Sequence, residues 1–166
     1  AAFGLNKGYN SYQALLDDPE IDAVYIPLPN GLHKEWTIKA AQAGKHVLCE
    51  KTIALNAAEA REMIAACQQN RVKLMEAFMY RYTERAKQVQ SIVASGVLGE
   101  IKYVNSCYRF QLTRPNDIRL LPELGGGALC DVGCYPVNFI GMLLNDIPIS
   151  LQAEAVIQNG VDVIFS

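Results

Sequence analysis

Lys51 is one residue of this 166-residue sequence placed where a side chain can move a proton. It stands in Glu50-Lys51-Thr52, directly after the short apolar run His46–Cys49. A lysine at the carboxyl end of a strand sits among helix N-termini and partly buried surface, where its pKa falls into a useful range. There it passes a proton to or from a substrate hydroxyl, or holds that hydroxyl by hydrogen bonding. Taken alone, the same triplet also reads as a surface Glu–Lys pair. A second cluster lies in Gly125-Gly126-Gly127-Ala128-Leu129-Cys130-Asp131-Val132-Gly133-Cys134-Tyr135-Pro136-Val137-Asn138. Asp131 and Tyr135 are i and i+4, so a helix puts both on one face, with Asn138 three residues further on. A carboxylate beside a phenol orients a hydroxyl group and stabilises the charge that proton transfer creates. The plainer alternative is a polar stripe on a solvated helix, although Val132, Val137, Phe139 and Ile140 make it a partly buried one. The glycines allow backbone to approach a ligand closely, but their run is not a G-x-G-x-x-G phosphate turn.

A third cluster, Pro27-Leu28-Pro29-Asn30 with His33, falls where a strand gives way to a helix. In open α/β sheets ligands bind just beyond the carboxyl ends of strands. Asn30 and His33 are therefore candidates to hydrogen-bond a ribose or an amide. The competing reading is a turn at Asn30-Gly31 with His33 capping the helix.

The elements that must position these clusters follow from periodicity. Residues 22–28 (DAVYIPL) read as a buried strand of a parallel sheet. Residues 33–43 have helical spacing and stop at Gly44, a residue suited to the position after a helix. His46–Cys49 is the second strand. Asn56 with Glu59 has the form of a capping box, opening a helix to about Asn70 with Ala60, Met63, Ile64 and Cys67 on one face. Residues 72–78 make a third strand. Strands alternating with helices mean a parallel sheet with right-handed crossovers. After Tyr80 the pattern changes: an amphipathic helix over 83–95, a β-rich stretch over 100–112, a flexible glycine hinge over 124–127, a helix over about 128–144, and a strand over 151–157. Two strands and a helix cannot close a sheet with protected edges, so this half reads as cut off.

Composition narrows the classes. The chain is 51% hydrophobic and 19% charged with a net charge of -2, which gives no electrostatic reason to expect nucleic acid or an anionic membrane as partner. No run of about 18 apolar residues is apparent, so no membrane span is expected. The N-terminus carries no signal-peptide pattern. Five scattered cysteines, an odd number, argue against a disulfide framework and for reduced thiols in the cytoplasm. Cys130 and Cys134 are four apart, but two ligands do not make a zinc site and neither His33 nor His46 is near them in sequence, so no metal is expected.

Three segments in order, EIDAVYIPLPNGLHKEWTIKAAQAGKHVLCEK, LMEAFMYRY and GGGALCDVGCYPVNFI, resemble successive signatures of the glucose–fructose oxidoreductase / inositol dehydrogenase family. Their wording is most similar to its trans-dihydrodiol dehydrogenase and NADP-dependent D-xylose dehydrogenase branch. The resemblance runs over essentially the whole chain. It implies an α/β fold: the C-terminal part of a doubly wound Rossmann domain over residues 1–80, which binds NAD or NADP (NADP favoured), and over residues 81–166 the start of an α/β substrate and dimerisation domain with an open, mainly antiparallel sheet. It implies a dehydrogenase, with Lys51, Asp131 and Tyr135 catalytic. Pro27, Leu28, Asn30, His33, Glu50, Lys51 and Arg81 are expected to line the dinucleotide. A sugar, polyol or cyclic diol is the implied substrate, and a homo-oligomer the implied parent.

The sequence departs from the family at Thr52, where a proline is usual, and at Tyr82-Thr83-Glu84, where an aromatic, a histidine and a proline usually follow the arginine. The family's G-x-G-x-x-G strand–turn–helix is expected upstream, since Gly4 and Gly8 lie in a stretch resembling the segment after the second Rossmann strand. Because binding energy for the dinucleotide is concentrated in that turn, a non-catalytic truncated paralogue or partial product, acting at most as an interaction module, is the alternative function.

Overall fold

The structure is a computed structural model and describes residues 7–166; Gly4 lies outside them. The chain divides into two compact units. One takes the described residues up to Leu28 together with Leu32–Glu76; the other takes Pro29–Gly31 and Ala77–Ser166.

The first unit is built in sequence order from a short helix α1 (Tyr12–Leu16), β1 (Ala23–Ile26), α2 (His33–Gln42), β2 (His46–Cys49), α3 (Ala57–Gln69) and β3 (Leu74–Glu76). The three strands form a parallel sheet in the order β1-β2-β3, as alternation predicted. Local chemistry sets the ends of the elements. Ser11 caps α1 and Asn56 caps α3, each side chain accepting a backbone N–H in the first turn. Glu59 answers by accepting from the N–H of Leu55. Gly44, after α2, takes φ +74°, the left-handed value that ends a helix at no steric cost.

Alternation then decides which face is buried. Val24, Val47 and Leu74 pair across the sheet, as do Ile26, Cys49 and Glu76. Apolar members of these rows meet Ala40 and Met63 in the core, with Leu16 and Ala54. The intervening row, Tyr25, Leu48 and Met75, lies on the other face, where Tyr25 and Met75 are exposed. The sheet is therefore buried on one face, not on both as the apolar runs suggested. Lys45 is buried at the edge of the core, its ammonium donating to the carbonyls of Asp18 and Ile21, both at 2.7 Å.

The second unit holds α4 (Glu84–Ala94), a π-helical turn (Leu129–Gly133) running into α5 (Cys134–Leu144), and a hairpin of β4 (Ala155–Gln158) and β5 (Val161–Phe165). Thr83 caps α4 through its hydroxyl. The hairpin turns at Asn159-Gly160, with φ of +51° and +83°, the primed geometry that matches strand twist. Three expectations are corrected here. Residues 100–112 form no strand, because an extended segment needs a neighbour to take its N–H and C=O groups and none pairs with it among the described residues. The expected helix over 128–144 begins as a π turn. The glycines are no loose hinge: a Cβ at Gly126 would lie 2.5 Å from the carbonyl oxygen of Arg119, so the run is a close-packed turn.

Pro122–Leu144 also matches a membrane-crossing helix by length and composition, against the expectation that no such run exists. Its backbone is not one regular helix, since Gly125 and Gly127 have positive φ and a π turn follows. The α5 segment itself has 11 residues, about 16 Å, roughly half a hydrocarbon core. None of its residues is buried in the chain.

Candidate active site

Lys51 sits just past the carboxyl end of β2, in a loop fastened from three sides. From β1, the Tyr25 hydroxyl donates to Glu50 Oε1 at 2.5 Å. That carboxylate beside the phenol pushes the Tyr25 pKa up, so the hydroxyl keeps its proton and remains a donor. From β3, Glu76 Oε1 accepts the N–H of Ile53 at 2.8 Å. From the start of α2, the His33 ring reaches the Thr52 carbonyl at 2.8 Å through Nδ1, while its Nε2 lies 2.7 Å from the Leu28 carbonyl. The Lys51–Thr52 peptide bond is cis. Glu50, Lys51 and Leu28 are half-buried and Pro27 is exposed, so side chains at the ends of β1 and β2 keep surface for a ligand.

His33 has a different place from the one expected. Its ring has no exposed surface and both nitrogens face backbone carbonyls. It has neither the surface nor a spare nitrogen for a ribose or an amide, and it does not cap α2 with its side chain. Asn30, by contrast, donates from Nδ2 to the Gly125 carbonyl at 2.9 Å, a contact inside the second unit. Gly31 is needed for that approach, since a Cβ there would lie 2.8 Å from the Glu123 carbonyl oxygen.

In the second unit Asp131 stands on the π turn and accepts from Arg119 Nε at 2.7 Å. Arg119 also donates to Asp117 Oδ1 at 3.0 Å. The Asp131 hydrogen bond is foremost in raising the pKa of Arg119, which keeps its charge in this bridge. The Tyr135 ring lies 5.5 Å from both Phe78 and Tyr108 and 6.1 Å from Tyr80, and its hydroxyl donates to Met79 Sδ at 3.6 Å. Tyr80 donates to Asn138 Oδ1 at 2.6 Å, and burial pushes its phenol up. Tyr80, Tyr108 and Tyr135 border a cleft of about 360 Å³ that also touches Arg85, Cys107 and Phe139. Arg81, at the end of a short 3-10 turn, is exposed. Tyr25, Glu76 and Arg119 were not singled out in the sequence. The strand pairing sets Tyr25 opposite Leu48, two residues before Glu50, and Glu76 beside Cys49; Arg119 lies in an irregular stretch with no periodic signal.

Two profiles match in chain order. Residues 1–78 match the oxidoreductase family, NAD-binding Rossmann fold, and residues 86–164 match the GFO/IDH/MocA C-terminal domain. The chain belongs to the GFO/IDH/MocA oxidoreductase family. Among curated relatives, a Haloferax volcanii protein named D-xylose 1-dehydrogenase (NADP(+)) 2 is 46% identical over 142 residues, covering 85% of this chain and 43% of that protein. A trans-1,2-dihydrobenzene-1,2-diol dehydrogenase of Xenopus laevis is 37% identical, covering 94% of this chain and 48% of that protein. Among solved structures, an aldose-aldose oxidoreductase from Caulobacter crescentus complexed with glycerol superposes with a TM-score of 0.84 at 32% identity, over 95% of this chain and 49% of that one. A 3-ketoreductase from Actinomadura kijaniata with NADP and TDP-benzene gives 0.71 at 35%, over 89% and 44%. The chain spans about half the length of the relatives it matches.

No group of three or more potential metal ligands occurs among the described residues. No disulfide joins the five cysteines. Burial pushes the Cys49 thiol up to about 12, with the Thr37 hydroxyl beside it pulling the other way, whereas Cys107 is exposed. Iodoacetamide at about pH 8 will therefore modify Cys107 and leave Cys49 intact until the unit unfolds, because the thiolate is the reacting form. Peptide mapping by mass spectrometry checks this; rapid labelling of Cys49 under native conditions would contradict it. The sign for stability follows. An unfolded Cys49 ionises near 9.0, so folding free energy is unaffected by this group below that pH and declines as pH rises from there towards 12.

Proposed function

We propose that the chain is part of an enzyme that transfers hydride between NAD(P) and a secondary alcohol or carbonyl of a sugar or cyclic diol. The observation that carries this reading is the Glu50-Lys51-Thr52 loop, fastened at the carboxyl end of a parallel sheet in a chain of this oxidoreductase family. NADP is the favoured dinucleotide, supported by the named cofactor of the xylose dehydrogenase relative and by the ketoreductase structure holding NADP. The residues fit one: apolar Pro27 and Leu28 offer a wall, the Glu50 carboxylate is an acceptor for ribose hydroxyls, and exposed Arg81 is a cation for a phosphate.

When bound, the cofactor supplies the redox chemistry. The chain's own part is to position and to move a proton. Lys51 takes the proton from the substrate hydroxyl in oxidation and returns it in reduction. In the second unit Tyr135 is a further donor, and Asp131, steadied by Arg119, orients the hydroxyl. Pro27, Leu28, Asn30, Glu50, Lys51 and Arg81 line the dinucleotide, while the buried His33 does not. The small-molecule substrate, the homo-oligomeric parent and a cytoplasmic setting complete the proposal.

The test is nicotinamide absorbance with full-length protein, NADP⁺, and D-xylose, a trans-dihydrodiol of benzene and a panel of polyols. Turnover with a member of the panel supports the reading. No turnover on any of them together with no saturable NADPH binding would favour the non-catalytic alternative.

A further inference from the structure

Glu50 is the first residue beyond β2, and β1 holds both its backbone and its side chain. Its N–H donates to the Ile26 carbonyl at 3.1 Å, which carries the strand ladder one residue past Cys49. Its carboxylate accepts from two donors, the Tyr25 hydroxyl at Oε1 (2.5 Å) and the Lys51 N–H at Oε2 (3.3 Å). Acceptance at both oxygens is the pattern of an ionised carboxylate. The phenol contact has the short length of a charge-assisted O–H···O⁻ bond and is the stronger of the two; the Lys51 contact is long. Tyr25 pairs with Leu48 across the sheet, and side chains two residues apart in a strand share a face. Tyr25 and Glu50 are therefore diagonal neighbours on the face turned from the core, where the Tyr25 ring is exposed.

We propose that Tyr25 is a positioning residue for the dinucleotide: its phenol sets the Glu50 carboxylate in one orientation before a ribose arrives. A glutamate at a strand end populates several rotamers, and freezing them on binding is subtracted from affinity. A hydrogen bond already made in the empty protein removes that cost. It does so without using up the acceptor, because an ionised carboxylate offers about four lone-pair sites. The Tyr25 and Lys51 bonds leave lone pairs for the vicinal hydroxyls of a ribose. The phenol thus acts on cofactor affinity through Glu50 while itself touching no ligand. The proposal rests on the reading that Glu50 accepts from the ribose.

The experiment is a double-mutant cycle in the full-length protein, read as Kd for NADPH by fluorescence titration and as kcat with the sugar or diol found to turn over. Tyr25→Phe removes one oxygen from an exposed ring and leaves the core untouched; Glu50→Ala removes the carboxylate. The expected result is a threefold or greater rise in Kd in Tyr25→Phe with kcat within threefold of wild type. Glu50→Ala should raise Kd at least as much, and adding Tyr25→Phe to it should raise Kd no further. A Tyr25→Phe Kd changed by less than threefold beside a weakened Glu50→Ala, or losses that multiply in the double variant, would overturn the proposal and leave the Glu50 contact standing. A Glu50→Ala Kd equal to wild type would remove Glu50 from the dinucleotide wall, and the proposal with it.

Discussion

Replacing Lys51 by methionine will lower kcat of the full-length protein by about 10²–10⁴-fold, the range lost with a proton-transfer group. Methionine keeps the length and apolar stem of the side chain and removes only the ammonium. Lys51 is half-buried in a loop tied by Tyr25, His33 and Glu76. Those three ties run through the Glu50 side chain and through backbone atoms of Thr52 and Ile53, so the substitution leaves them in place. KM for the dinucleotide should stay within a few-fold, because Glu50, Pro27 and Arg81 are untouched. Steady-state kinetics with saturating NADP⁺ separates the two parameters. A kcat within threefold of wild type would show that Lys51 does not carry the proton.

The largest effect on stability is expected at Met63. It has no exposed surface and lies on the face of α3 turned to the sheet, in the cluster with Val47, Cys49 and Ile26. Met63→Ala removes that side chain from a packed interior and leaves a cavity that the parallel strands cannot close. The cost is about 2–5 kcal/mol, a large part of the stability of a unit this small. Met63→Leu, which nearly conserves volume, should cost less than about 1.5 kcal/mol. Urea titration followed by circular dichroism measures both; a Met63→Ala midpoint equal to wild type, with an unchanged slope, would contradict the packing described.

The first unit was legible because its signals are local. Val24, Ile26, Val47 and Leu74 mark strands, Gly44 ends a helix, and Asn56 with Glu59 opens one; each is decided within a few residues. The candidate residues Lys51, Asp131 and Tyr135 were singled out by type and position in the same way. What was missed depends on partners far away in sequence. Tyr25 meets Glu50 and Glu76 meets Ile53 only once three strands are in register. His33 looks like a ligand contact in the sequence and becomes a buried tie only when the Leu28 and Thr52 carbonyls arrive on both sides of it. The stretch over 100–112 has the composition of a strand, yet composition does not supply the neighbour that makes one. Asn159-Gly160 is a different case, a hairpin signal carried by two adjacent residues.

The exposed apolar surface of the second unit has a practical consequence. None of α5 is buried, and Ile147, Ile149 and Leu151 stand almost wholly in solvent. With a net charge of only -2, the 166-residue chain has little electrostatic repulsion to keep copies apart. Expressed by itself, it will be governed by colloidal behaviour before it is governed by unfolding: concentration, salt and chaperone supply will set the yield, while substitutions that only tighten the core of the first unit will leave it unchanged.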